Sequence, residues 1–299
     1  MKIGVGPRAR RGVLGAAFVF SMVAAPAAPA TAADVTCGTV LTTSITLTGN
    51  LGPCAGDALI AGADNITINL GGYTISGTGS GAGVRVAQHS GVTVTSGTIQ
   101  GFHTGVVLDE STTSTVTKLV LRDNVRGVNV AGSDDNLIEK NTILDSGLDG
   151  IRLGLSANNV VSKNTLTGNV FGIGVADFSA GNLVEKNVLR DTRGFGVAVF
   201  SDSDSNRLEK NDVQQTLQGD GISVSPDSDL TLILKNIASL NSDDGIDTDS
   251  PLTTITGNVA NNNGDLGIEA VAGATDGGGN LASGNGNPAQ CVGVSCSAG

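Results

Sequence analysis

Residues 136–153 read NLIEKNTILDSGLDGIRL, and residues 182–199 read NLVEKNVLRDTRGFGVAV. Between them, from Asn159, stands NVVSKNTLTGNVFGIGV. A glycine followed by an aliphatic residue marks each copy: Gly83, Gly105, Gly127, Gly150, Gly172, Gly196, Gly221, Gly245 and Gly267, in steps of 22 to 25 residues. A second marker keeps pace, in Asn141, Asn164, Asn187, Asn211, Asn236 and Asn258. Within each copy the apolar residues alternate. Ile151 and Leu153 flank Arg152, Val197 and Val199 flank Ala198, and Ile222 and Val224 flank Ser223. Alternation with β-branched residues predicts short strands, and the Asn, Gly, Asp and Ser between them supply turns.

A fixed period of this length excludes a propeller, whose blades need about 40 residues or more. A sandwich does not require successive segments to resemble one another. A parallel solenoid does, because each coil lies about 4.8 Å above the last and like residues meet like. The Asn column then becomes a ladder of amides bonded from coil to coil, and the Ile/Val/Leu columns become a dry interior. The expected fold is all-β, a right-handed parallel β-helix of about ten coils over residues 63–280, about 48 Å long at that spacing. The phrases NLIEKNTILDSGLDGI, NLVEKNVLRDTRGFGV and NRLEKNDVQQTLQGDGI resemble coils of the right-handed parallel β-helix repeat family. That family includes pectate-lyase-like polysaccharide enzymes and β-helical accessory proteins of nitrous oxide reductase maturation. The resemblance implies a fold, and only broadly a role at polysaccharides.

The flanks have other characters. Lys2, Arg8, Arg10 and Arg11 precede an apolar run, Val13 to Ala25, and a small-residue stretch near Ala32 and Ala33. Residues 1–33 are therefore expected to be a secretory signal peptide, too short in its apolar part to span a bilayer. The expected product is secreted, not anchored. Residues 34–62 and 281–299 are expected to cap the exposed ends of the solenoid. Each cap holds a cysteine pair, and four cysteines allow three pairings. If the ends lie far apart, the local bridges Cys37–Cys54 and Cys291–Cys296 form, as an oxidising compartment permits. The full chain has 17 Lys+Arg against 28 Asp+Glu, and without the four N-terminal cations the balance is 13 against 28. Such a polyanion is a poor match for nucleic acid.

Chemistry concentrates in SDDGIDTDSP, residues 242–251. Asp220 precedes Gly221 as Asp244 precedes Gly245, so the two stack, and Glu269 stands one coil after Asp247 in the same place. The spacing resembles one family of calcium-dependent β-helical pectate lyases. That resemblance implies Asp220, Asp243, Asp244 and Asp247 as Ca²⁺ ligands and β-elimination on a polyuronate as the reaction. The family's base lies beyond the acidic motif, whereas here no Lys or Arg follows Lys235. Arg152 shares the strand position of Asp247, four coils earlier. The catalytic set is therefore incomplete, and Asp-Gly also serves simply as a turn signal. Asp220 with Asp244, or Asp247 with Glu269, could alternatively pair for glycoside hydrolysis. Lys140, Lys163, Lys186, Lys210 and Lys235 each precede a ladder Asn and form a row suited to an acidic polymer, although Glu139, Glu185 and Glu209 sit beside them. With no Trp, one Tyr and seven Phe, the chain offers no obvious platform for stacking sugars. The expectations are a polysaccharide partner, an acidic glycan foremost, with Ca²⁺ as the candidate cofactor. A lyase and a structural or adhesive rod are the alternatives.

Overall fold

The protein is a right-handed parallel β-helix of about 11 turns. The computed structural model describes residues 30, 31 and 35–298. Residues 1–29 and 32–34 hold nearly all of the expected signal peptide and lie outside the described residues. Among the described residues there is no helix. One face of the rod is a twelve-stranded sheet, which takes one strand from each coil, from Thr39–Leu41 to Cys291–Val292. A nineteen-stranded sheet wraps the remaining faces. The stacking begins inside the region expected to cap the N-terminus. Thr39–Leu41 pairs in parallel with Leu59–Ala61, so the cap is itself built of coils.

Register in the twelve-stranded sheet is unbroken along the repeat. Val84, Val106, Val128, Ile151, Ile173, Val197, Ile222, Ile246 and Ile268 form one column, buried in the core. The next residue of each strand points outward. Arg85, Val107, Asn129, Arg152, Gly174, Ala198, Ser223, Asp247 and Glu269 therefore run in file along the exterior.

The marker glycines are needed for space. A Cβ on Gly105 would lie 2.6 Å from the carbonyl oxygen of Gly127, and one on Gly150 would lie 2.9 Å from that of Gly172. The coils approach too closely there for any side chain. The Asn ladder is present and extends one rung further than expected, to Asn280. At Asn187, Nδ2 donates to Val161 O at 2.9 Å and to Asn211 Oδ1 at 3.0 Å, while Oδ1 accepts from Asn164 N and Nδ2. A second ladder, Asn136, Asn159, Asn182 and Asn206, runs at another corner. The five lysines before the first ladder all adopt left-handed backbone, with φ between 54° and 56°. Each forms, with the ladder Asn that follows it, the two-residue corner between two strands, its N–H bonded to the next coil. The disulfides Cys37–Cys54 and Cys291–Cys296 are both formed, and no described cysteine is free.

Candidate functional site

The outward file of the twelve-stranded sheet changes character along its length. Gly174, Ala198 and Ser223 are small, and over them lies a groove of about 650 Å³. Phe171, Phe195 and Phe200 line it. Phe171 and Phe195 occupy the same place in successive coils, directly before a marker glycine. Their rings lie over glycines of the following coil: a Cβ on Gly194 would come 2.6 Å from the Phe171 ring, and one on Gly219 would come 3.3 Å from the Phe195 ring. Phe195 stays 37% exposed.

At one end of the groove stand two arginines, both already paired. Arg126 Nε donates to Asp149 Oδ2 at 3.0 Å, and Asp149 is buried. An Arg152 NH2 group donates to Asp177 Oδ2 at 2.9 Å, and its guanidinium carbon sits 4.8 Å from the centre of the Phe200 ring.

At the other end the file reaches Asp247 and Glu269, which are register partners, as their repeat positions predict. Oxygens of Asp220, Asp243 and Asp244 lie within 4.8 Å of one another, and so do oxygens of Asp244, Asp247 and Glu269. The four residues expected to converge thus fall into two overlapping triads joined at Asp244, with Glu269 completing the second. Asp220 Oδ1 accepts from Asp244 N at 3.2 Å, and Asp244 Oδ1 accepts from Leu266 N at 2.6 Å. Each coil's carboxylate is therefore tied to the backbone of the next. Burial, and then repulsion from Asp244, Asp243 and Glu269, pushes Asp220 up to about 7. Asp244 also rises to about 7, through burial and a hydrogen bond with Glu269. Asp247 reaches about 7 through burial and repulsion from Asp220, Asp249 and Glu269. Such a cluster either keeps protons or takes a cation.

The lysine row lies on the other sheet, away from the groove. Lys140, Lys186 and Lys210 donate to Glu139, Glu185 and Glu209 beside them, as surface ion pairs. Lys163 and Lys235 have no such neighbour in sequence. Composition gave no hint of the phenylalanine groove. The signal that was present is positional: Phe-Gly occurs at the same point of two successive repeats.

The family model for periplasmic copper-binding protein (NosD) matches residues 64–237, more than half of the chain. No curated protein matches the sequence. Among solved structures, the periplasmic alginate epimerase AlgG is similar at 16% identity and a TM-score of 0.59, over 86% of this chain and 74% of that one. The tailspike protein of E. coli bacteriophage HK620, in complex with pentasaccharide, is similar at 13% identity and a TM-score of 0.62. That match covers 81% of this chain and 55% of the tailspike chain. At these identities the likeness is one of fold.

The described residues do not fit a copper centre of soft donors. All four cysteines are in disulfides. His89 Nδ1 lies 2.9 Å from Asp64 Oδ1, and His103 Nδ1 lies 3.2 Å from Thr104 Oγ1, so the two rings serve separate neighbours. The only dense donor set among the described residues is the all-oxygen cluster, whose chemistry suits a hard cation.

Proposed function

The chain belongs to the periplasmic copper-binding protein (NosD) family, and from that premise we propose that it binds a polysaccharide lengthwise along the twelve-stranded sheet. The observation that carries this reading is the groove itself. An apolar floor one small residue wide is walled by three phenylalanines and bounded by polar pairs, and it runs in file with the carboxylate cluster. Concave sites that combine apolar surface with a few placed polar groups are where ligands bind. Similarity in fold to an alginate epimerase and to a pentasaccharide-bound tailspike supports the same reading. The two disulfides and the expected signal peptide support a location outside the cytoplasm.

Asp220, Asp243, Asp244, Asp247 and Glu269 would hold Ca²⁺, which supplies positive charge where five carboxylates crowd. The finer reading, an acidic glycan joined through that Ca²⁺, requires binding that a chelator abolishes. Cleavage by β-elimination is disfavoured by Arg152: the nearer arginine in file with Asp247 is committed to Asp177 and Phe200, about 19 Å away at four strand spacings.

Affinity electrophoresis of residues 34–299 through gels cast with a panel of neutral and acidic polysaccharides tests the proposal. Retardation by at least one glycan, weakened by Ala198→Trp on the groove floor, is expected. Migration unchanged by every glycan overturns it. Calorimetric titration with Ca²⁺ should give heat for the wild type and about tenfold weaker binding for Asp244→Ala, on the scale of losing one charged ligand; identical blank titrations remove the metal.

A further inference from the structure

We propose that the groove is built for uncharged sugar units. This rests on the reading of the groove as a glycan site and names the class of glycan it takes.

A subsite for uronate, sulfate or phosphate needs positive charge that no neighbouring carboxylate already balances. The groove holds two cations, Arg126 and Arg152. Each is paired with its own carboxylate, Asp149 or Asp177, and Arg152 is further held by the face of Phe200. A third carboxylate, Asp249, lines the far end. The groove therefore carries more negative than positive charge before the acidic cluster beyond it is counted. A polyanion entering it would meet repulsion and would have to displace ion pairs, one of which includes the buried Asp149. The lysines that suit a polyanion stand on another sheet, three of them engaged by glutamates.

What the groove offers suits a neutral pyranose. Phe171 and Phe195 recur one coil apart, lie over Gly194 and Gly219 and line the groove, with Phe195 left partly exposed for the C–H face of a sugar. The arginine–aspartate pairs present fixed donors beside fixed acceptors, and a hydroxyl, which donates and accepts, uses both. Asn129, Ser223 and Ser225 add groups of the same kind. The floor strands have their backbone groups paired within the sheet, so a peptide would find no free edge to extend.

The test compares, for residues 34–299, dissociation constants for neutral oligosaccharides (gluco-, manno- and xylo-oligomers) and for oligouronates of equal length, each with Ca²⁺ and with chelator. At least one neutral series should bind tenfold or more tighter than any oligouronate, with little change on adding chelator or salt. Phe195→Ala should weaken that binding about tenfold and Phe195→Tyr should restore it, with far-ultraviolet circular dichroism unchanged in both. Oligouronates binding more tightly than every neutral series overturns this inference while leaving a polysaccharide-binding protein. Neutral binding that Phe195→Ala leaves intact moves the site off the groove and overturns it as well. No binding in any arm overturns both this inference and the function it rests on.

Discussion

Asp244 has the least comfortable position in the molecule. It is buried, touches both triads, and lies beyond the last cation of the chain, Lys235. An unfolded aspartate titrates near 3.8, whereas folded Asp220, Asp244 and Asp247 titrate at about 7. Between those values the native state holds protons that the unfolded chain has released, so stability falls as pH rises through that window. Without divalent cations, thermal unfolding should therefore move to higher temperature on going from about pH 8 to about pH 5, opposite to the acid loss that salt-bridged carboxylates cause. The three sites interact, so the pH step belongs to the cluster and not to one residue. Asp244→Asn keeps an acceptor for Leu266 N–H and removes the shared charge. It should raise stability at about pH 8 by on the order of 1–2 kcal/mol and flatten the step. Ca²⁺ should raise the wild-type transition at that pH and leave the variant nearly unmoved. A wild-type transition that rises with pH would show that the carboxylates are ionised at no cost.

At the scale of one coil, two columns carry the repeat for opposite reasons. Asn187 stays because its amide makes four bonds, and Gly172 stays because it has no side chain. Asn187→Ala leaves Val161 O and the Asn164 and Asn211 amides short of partners in the interior. At roughly 1–3 kcal/mol for each buried group left unmade, a loss of about 3 kcal/mol or more is expected in denaturant unfolding. Gly172→Ala places a methyl against the backbone carbonyl of Gly196, which cannot move without shifting a coil. It should cost at least as much, whereas Ala substitution at exposed Gly49, with open space around it, needs no such shift. These columns are why the fold was legible: a stacked coil forces like residues to recur, and recurrence can be read from one sequence. Part of the site was legible by the same rule, since Asp220 over Asp244 and Asp247 beside Glu269 follow from register alone. The phenylalanine groove was not. Its three rings come from two successive coils, and two of them, Phe171 and Phe195, lie over glycines that belong to the coil after each ring. Composition counts rings and cannot see which of them share a wall.

The rod as a whole is polarised. Every Lys and Arg of the described coils lies at or before Lys235, and from Asp243 to Asp276 seven carboxylates follow with no cation. In a solenoid each coil contacts only its neighbours, so stability is local and opening spreads from the ends. The C-terminal coils are thus the ones that repulsion weakens, and the last strand of the twelve-stranded sheet, Cys291–Val292, holds one end of the Cys291–Cys296 clasp. Hydrogen exchange measured at about pH 8 with chelator should therefore be fastest in strands Ile246–Thr248 and Ile268–Ala270 among the core strands, because the carboxylates there are forced to ionise. Saturating Ca²⁺ stabilises whatever binds it, by about 2.7 kcal/mol at a hundred times the dissociation constant. That protection should appear from Asp220 onward and leave strands such as Ala82–Ala87 and Thr104–Asp109 unchanged, because no contact carries it across the intervening coils. Uniform protection along the chain would mean that the rod opens as one cooperative unit. An unchanged C-terminal third would mean that the carboxylates hold protons and no cation.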